Sequence, residues 1–155
     1  MTRTERMNML FAEDYRVIDF FPEAASYADG FADEAEQYFA QDKQLQQFCT
    51  RAVSLVLKLL CCFPFEIYVK EVTPLRTQRE GWLKDKRCET VVRLLKKVIL
   101  KQKGQLDILL PKENAIISIP GGTMSIAVYH ESPSLKQLLD EMIPAEGFYT
   151  WRFRV

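Results

Sequence analysis

A row of cationic residues in the middle of the chain has the residue types and the spacing to bind a negatively charged partner. Its six members are Lys86, Arg93, Lys96, Lys97, Lys101 and Lys103. Four of them follow one another at intervals of seven, four and four residues, which places them near one stripe of a helix. Such a stripe contacts the phosphates of a nucleic acid or the carboxylates of an acidic protein. Lysines on the solvated side of an amphipathic helix give the same pattern, so all three interpretations stay open.

Carboxylates concentrate nearer the N-terminus. Residues 11–42 include nine acidic residues and one basic residue, whereas residues 76–103 include ten basic residues and three acidic ones. Asp29, Asp33 and Glu36 are spaced by four and three, so they fall near one face of a helix. They have the chemistry to hold a cation or to act as an acid–base pair. A solvated acidic face near a helix N-terminus is the alternative, since the helix dipole favours it there.

Catalysis by a histidine rests on His130, the single histidine of the chain. A hydroxyl of Ser132 or Ser134, with His130 as the base and a distant carboxylate, is one arrangement for nucleophilic catalysis. An exposed loop histidine without a catalytic role is the alternative. Glu131 and Asp140, the nearest carboxylates, do not have the spacing of metal ligands, so no metal is expected.

Cysteine usage gives no site of its own. The four cysteines are Cys49, Cys61, Cys62 and Cys88, and they form neither a CxxC pair nor a spaced Cys/His set. We interpret them as reduced thiols of a cytoplasmic protein, with a strained disulfide between the two adjacent cysteines as the alternative. The one glycine pair, Gly121-Gly122, fits a hairpin turn rather than a phosphate-binding loop, and no cofactor is expected.

The elements that must position these residues follow from the spacing of the apolar side chains. Apolar alternation and helical spacing predict six strands and four helices in the order β-α-α-β-α-β-β-β-α-β. The predicted strands are residues 15–20, 65–72 and 105–110, the two sides of the Pro120-Gly121-Gly122 turn, and the segment after Gly147. The predicted helices are residues 31–41, 42–61 and 82–103 and a short segment capped by Ser132. The predicted connections are a loop at residues 24–30 and a polar segment at residues 73–81.

Residue types at the helix ends support these boundaries. Asp42 is a candidate N-cap for the long second helix, and Gly104 is a candidate C-cap glycine for the third. The fourth helix has Pro133 at its first position and is expected to end at Pro144.

This order favours the α+β class, with a mixed or largely antiparallel sheet of about six strands and about four helices packed mainly on one face. The length of 155 residues suits a single domain, which we place at residues 11–155 behind a frayed N-terminus at residues 1–10. Since no apolar run approaches the ~18–20 residues that span a bilayer and no secretory signal is visible, a cytoplasmic location is expected.

Aromatic residues close the chain. Tyr149, Trp151 and Phe153 alternate with Thr150 and Arg152, so the three rings share one face of a strand. We interpret that face as part of the core. A platform on which nucleic-acid bases stack is the alternative.

Five pieces of the sequence resemble a group of small bacterial proteins of unknown function. These pieces are YRVIDFFPE at residues 15–23, EQYF at residues 36–39, CCFPFEIYV at residues 61–69, SIAVYHES at residues 125–132 and PAEGFYTWR at residues 144–152. The resemblance implies one intact domain of bacterial origin. It transfers no catalytic or binding residue, and none of the pieces falls in the basic segment at residues 76–103.

Taken together, the uneven charge and the weak catalytic signals predict a non-catalytic cytoplasmic module that binds an unidentified protein. An inhibitor or immunity-type protein is one form of that function, by analogy of size and acidic content. The first alternative is a nucleic-acid-binding protein that uses the basic helix at residues 82–103. The second is an enzyme with a site around His130.

Overall fold

The computed structural model describes residues 1–23, 30–73 and 76–154. Within these residues the chain forms five helices and seven strands. In order they are α1 (Arg3–Leu10), β1 (Tyr15–Asp19), α2 (Phe31–Phe39), α3 (Asp42–Cys62), β2 (Glu66–Thr73), β3 (Arg76–Trp82), α4 (Cys88–Lys101), β4 (Gln105–Leu110), β5 (Ala115–Pro120), β6 (Ser125–Tyr129), α5 (Pro133–Ala145) and β7 (Tyr149–Phe153). The loop predicted at residues 24–30 lies outside the described residues except for its last position.

All seven strands belong to one sheet in the order β3-β2-β4-β5-β6-β1-β7, and every neighbouring pair is antiparallel. The predicted hairpin is confirmed, since Ile117 of β5 pairs with Val128 of β6. The first strand is inserted between two strands from the end of the chain, with Ile18 opposite both Ile126 and Thr150. The predicted α+β class is therefore confirmed, and the sheet is antiparallel.

One face of the sheet is covered by α3, α4 and α5, which together bury the main core. The inward positions of α3 include Phe48, Leu55 and Leu59, each at most 1% exposed. They meet β-branched side chains of the sheet such as Ile108 and Ile117, which are fully buried. Burial of each such side chain contributes about 1.5–3 kcal/mol, so this layer supplies most of the hydrophobic stabilisation.

Residues 3–10, which lie in the segment expected to be frayed, form the capped helix α1. Thr2 caps α1 in a capping box, in which the side chains of Thr2 and Glu5 each accept a hydrogen bond from the other residue's backbone N–H. Met7 and Leu10 of this helix are each 5% exposed and pack on the second face of the sheet, against apolar side chains of β4 and β5. The two buried side chains hold down a segment whose sequence shows little amphipathic pattern. We call this second face, which α1 covers only in part, the open face.

The segment predicted as a polar connection at residues 73–81 is largely β-strand. Residues 76–82 form β3, which pairs with β2 at the edge of the sheet, where Trp82 lies opposite Tyr68. An edge strand exposes much of its surface, so it shows no apolar alternation that a sequence pattern can detect.

The basic helix is shorter than predicted, because Trp82 belongs to β3 and residues 83–87 form the connection to α4. Asp85 begins the turn into α4, since its carboxylate accepts hydrogen bonds from the Arg87 backbone N–H at 3.1 Å and from Thr90 Oγ1 at 2.8 Å. The helix ends when Gln102 adopts the left-handed conformation at φ 52°, so the C-cap is two residues before the expected Gly104.

Two other helix ends also differ slightly from the sequence pattern. The N-cap of α3 is Gln41, and Asp42 lies in the first turn, where a negative charge favours the helix dipole. In α5 the Ser132 side chain accepts a hydrogen bond from the Leu135 backbone N–H, as predicted. The helix passes through Pro144 and ends one residue later.

Among the described helices, α3 alone has the length and apolar character of a membrane span, with a mean hydropathy of 1.3. Half of that apolar window is buried inside the fold. This burial is the pattern of the core helix of a globular domain.

Candidate functional site

The exposed side of α4 carries the predicted cationic row. Arg93, Lys96, Lys97 and Lys101 are all exposed, and helical geometry places them within one broad stripe. The opposite side of the helix is fixed by Val91, Leu95, Val98 and Ile99, each at most 4% exposed. The row is therefore presented on a rigid element. We call these four cationic residues, together with Leu100, the α4 face.

Two members of the predicted row lie outside the helix. Lys86 lies before α4, where its ammonium group is 3.1 Å from the Phe65 carbonyl oxygen and 3.3 Å from a carboxylate oxygen of Glu66. It anchors the β3–α4 connection to the start of β2. Lys103 follows the helix and is exposed in the connection to β4. The sequence pattern placed both on the stripe because it extended the helix too far in both directions.

Apolar surface is mixed with the charges of the α4 face. Leu100, between Lys97 and Lys101, is 38% exposed. Near the start of the helix, a shallow depression of about 780 Å³ is lined by Val92 together with Arg87, Cys88, Glu89, Arg93 and Lys96. Arg87 is neutralised there by Asp85 at 2.9 Å and Glu89 at 3.2 Å, whereas Arg93 and Lys101 form no ion pair within the described residues. The positive charge of Arg93 and Lys101, near the middle and at the end of the helix, is therefore not compensated by an ion pair within the described residues.

Two of the acidic candidates lie on α2, and the third, Asp29, lies outside the described residues. Asp33 and Glu36 are exposed on this helix, and Asp33 is in its first turn. Their placement fits the solvated acidic face better than a cation site. Within the described parts of the chain, no group of three His, Cys, Asp or Glu residues is arranged to hold a metal ion.

The catalytic arrangement considered around His130 is not assembled. The His130 ring lies with Nδ1 2.9 Å from the Asn114 carbonyl oxygen. Ser132 and Ser134 instead both donate hydrogen bonds to Glu113, and Ser132 also caps α5. The hydroxyl groups and the imidazole therefore have separate partners, and the contacts fit the alternative of an exposed loop histidine.

The aromatic face of β7 is not part of the core, so that prediction is wrong. Tyr149 and Phe153 are 53% and 50% exposed, and Trp151 is partly exposed. The cause is that β7 is the edge strand and its aromatic side chains project on the open face, away from the helices. Phe153 stacks on Tyr15 of β1, with ring centroids 5.0 Å apart. Phe148, just before the strand, is the aromatic residue that enters the core, at 5% exposure.

Sequence reasoning missed a buried charge cluster between β1, β6, α5 and β7. Arg16 is 5% exposed, and its Nε and Nη2 atoms donate to the two carboxylate oxygens of Glu131 at 2.6 and 2.9 Å. Asp140 of α5 and Arg152 of β7 complete the cluster, at 2.8 Å from Arg16 and 3.3 Å from Glu131. Arg16 is the one basic residue of the acidic segment at residues 11–42, and it lies between Tyr15 and Val17 in the predicted first strand. That position is the sequence signal that could have indicated a buried charge. Because its members are mutually satisfied, the cluster fastens elements together.

The thiols are all free, in accord with the expectation of reduced cysteines. Cys49 is buried in α3, and burial raises the pKa of its thiol, so that less of it is ionised to the thiolate at neutral pH. Cys61, Cys62 and Cys88 are exposed at helix ends.

Comparison with known proteins gives no further assignment for these surfaces. The resemblance to small bacterial proteins therefore stays a prediction. No protein-family model, curated protein or solved structure shows a significant match to this chain.

Proposed function

We propose that the protein is a non-catalytic docking module that binds an acidic partner protein through the α4 face. The observation that carries this proposal is the row of four exposed cationic side chains on one side of a helix whose other side is fixed in the core. A rigid cationic surface steers an acidic partner during encounter and sets its orientation.

Apolar contacts add the component that a purely electrostatic surface lacks. Exposed Leu100 lies within the charged row, and Val92 forms the apolar part of the depression at the start of α4. Protein interfaces combine a desolvated apolar centre with a charged rim, and this mixture favours a protein partner. An inhibitor or immunity-type protein of the cytoplasm is the form of docking module that we propose, by analogy of its small size.

Nucleic acid is the second candidate, because the steps of four from Arg93 to Lys97 and Lys101 also suit a row of phosphates. The two candidates differ in a measurable way. Phosphate binding depends strongly on salt and is removed by nuclease treatment, whereas docking to a protein survives nuclease.

The test is affinity capture from a bacterial lysate, with and without nuclease, using three versions of the chain. The first is the unaltered protein and the second carries Arg93→Glu and Lys101→Glu. The third is a control with the same change in net charge, Lys43→Glu and Lys112→Glu, at exposed positions outside α4. The proposal predicts a stoichiometric, nuclease-resistant protein that the first and third versions retain and the second loses. Capture that the α4 variant leaves unchanged contradicts it, and a nuclease-sensitive ligand favours the second candidate.

A further inference from the structure

The open face contains a cavity that is separate from the α4 face. A row of paired residues crosses the sheet here, from Val17 to Ala127, Ser118 and Asp107 on successive strands. The small side chains of Ala127 and Ser118 leave a depression of about 400 Å³, bounded by larger neighbours. We call this depression the trough. Its volume lies within the range of small-molecule sites, about 300–1,000 Å³.

One wall of the trough is aromatic. Tyr15 and Tyr129 lie next to each other across β1 and β6, with ring centroids 4.8 Å apart. Phe11, at the end of α1, meets the Tyr129 ring edge to face at 4.9 Å. The three rings brace one another, so this wall is preformed. It offers apolar surface and aromatic π-electrons to a bound group.

The other end of the trough is polar, and its hydrogen bonds have a fixed direction. Asp107 is 3% exposed, and its carboxylate can only accept hydrogen bonds. Ser118 Oγ donates to Asp107 at 2.7 Å, and Gln105 Nε2 donates to the two carboxylate oxygens at 2.8 and 3.1 Å. Ser118 therefore uses its only proton on Asp107. Gln105 likewise directs its amide protons inward.

This direction determines what the trough presents to a ligand. Ser118 Oγ accepts one hydrogen bond from Gln105 Nε2 at 3.2 Å and keeps one further lone pair, and no donor within the described residues hydrogen-bonds to Gln105 Oε1. The polar end is therefore a surface of acceptors with a carboxylate directly behind it. Burial raises the pKa of Asp107 above its ordinary value, and the hydrogen bonds from Ser118 and Gln105 oppose part of that shift.

A nearby cation does not already neutralise this carboxylate. Among the described residues, Lys70 is the basic side chain whose charge lowers the pKa of Asp107, but no ion pair joins the two side chains. It pairs with Gln105 from β2, on the opposite side of β4 from β5 and the trough. The trough side of the Ser118–Gln105 acceptor pair is left open.

We propose that the trough binds a small organic cation, an ammonium group carried on an apolar or aromatic body. The ammonium group donates to Ser118 Oγ and Gln105 Oε1 and is attracted by the Asp107 carboxylate behind them. The apolar body lies against Tyr15 and Tyr129, where a cation near an aromatic face gains further attraction. This site is independent of the docking function proposed for α4.

Binding of 2-phenylethylammonium, measured by NMR titration of the full chain, tests the proposal. The neutral analogue 2-phenylethanol has the same body without the charge, and we expect it to bind at least about tenfold more weakly, since hydrogen bonds involving a charged group are stronger than neutral ones. A capped lysine, Nα-acetyl-lysine N-methylamide, represents a side chain of a partner protein. Tighter binding of the capped lysine identifies a protein as the source of the cation, and tighter binding of the arylamine identifies a free metabolite.

Two variants separate the charge from the shape of the trough. Asp107→Asn keeps the size of the side chain but removes the charge, so it should weaken the amine about tenfold and leave the alcohol unchanged. Ala127→Phe fills the trough, leaves Ser118, Gln105 and Asp107 themselves unchanged and should abolish binding of both probes. Asp33→Asn makes the same chemical change at an exposed site on α2 and should alter neither.

The proposal is overturned if the unaltered chain shows no saturable binding of either amine. It is also overturned if amine and alcohol bind equally, or if Ala127→Phe retains binding. Ala127 is partly exposed, and its side chain makes none of the hydrogen bonds to Asp107, although it lies opposite Ser118. If Asp107→Asn fails to fold, Ala127→Phe therefore still tests the proposal.

Discussion

Arg16 of β1 and Glu131, in the connection between β6 and α5, form a bidentate ion pair. Arg16 Nε lies 2.6 Å from Glu131 Oε1, and Nη2 lies 2.9 Å from Oε2. The side chains are 6% and 2% exposed. Removal of one partner from a buried pair leaves an uncompensated charge.

Glu131→Gln should lower the free energy of unfolding by about 1.5–3 kcal/mol, as measured by urea denaturation, because Arg16 loses its buried carboxylate partner but keeps Asp140 at 2.8 Å. The control is Lys136→Gln, because the Lys136–Asp140 pair has a similar distance of 2.7 Å but side chains that are 54% and 44% exposed. Loss of that pair should cost less than about 1 kcal/mol. Equal losses in the two variants would contradict a special role for burial.

The stability of the fold should depend on pH through the carboxylate of Glu146. It accepts hydrogen bonds from Lys58 Nζ at 2.5 Å and Ser54 Oγ at 2.9 Å, which tie the end of α5 to α3. The bond from Lys58, and to a lesser extent that from Ser54, lowers the pKa of Glu146 below its ordinary 4.5. A lowered pKa in the folded state gives stability that is present above pH 4.5 and is lost as the pH falls through the lowered value.

Glu146→Gln should thus destabilise the chain at pH 7 and lose that effect progressively as the pH falls from 4.5 through the lowered pKa of Glu146. Thermal unfolding across this range measures the difference. Glu141→Gln, at an exposed position of the same helix, is the matched control. A difference between Glu146→Gln and the unaltered chain that does not change with pH would refute the electrostatic explanation.

The β5–β6 turn has no room for a side chain at Gly121. Its backbone N–H donates to the Gly104 carbonyl oxygen at 2.8 Å, and a Cβ at this position would lie 2.5–2.7 Å from backbone atoms of Lys103. Gly121→Ala should therefore cost about 1–3 kcal/mol, the usual cost of overpacking. Gly81→Ala is the control, because a Cβ there has no atom within 4 Å, and it should change stability by no more than about 0.5 kcal/mol. Comparable unfolding midpoints for the two variants would rule out this close contact.

The end of the chain predicts a contrast between two phenylalanines. Phe148 is 5% exposed and meets the Phe48 ring at 5.8 Å, so Phe148→Ala should cost about 3–5 kcal/mol. Phe153 is half exposed and loses mainly its stacking with Tyr15, so Phe153→Ala should cost about 0.5–1.5 kcal/mol. Chemical denaturation of the two variants gives the comparison, and a larger effect of Phe153→Ala would place β7 in the core after all.

Sequence patterns predict the interior of this fold better than its edges. The long helix with Phe48 and Leu55, the strand that contains Ile108 and the hairpin at Gly121 were all predicted, because buried positions impose a strong apolar period. β3 was missed, since one of its sides has no neighbouring strand and its sequence RTQREGW carries no alternation. The capping box of α1 depends on Thr2 and Glu5, which are too common a pair to be decisive without the apolar surface that the helix covers.

The sequence predicted the α4 face but not the polar end of the trough. Arg93, Lys97 and Lys101 could be placed on one stripe because helical spacing alone determines it. Asp107 and Ser118 could not be connected, since they are eleven residues apart and meet only through the register of β4 and β5. Which side of a strand faces the helices is also invisible in an alternating pattern, and this is why the aromatic face of β7 was assigned to the core.

The position of β1 has a consequence for how the chain acquires its structure during synthesis. Both of its partner strands, β6 and β7, lie more than 100 residues further along the chain, as the pairs Tyr15–Tyr129 and Tyr15–Phe153 show. At about 5–20 residues per second, a ribosome needs about 5 to 30 seconds to synthesise the chain from β1 to these strands. During that interval neither partner strand of β1 is present, and the sheet closes only after β7 has been translated.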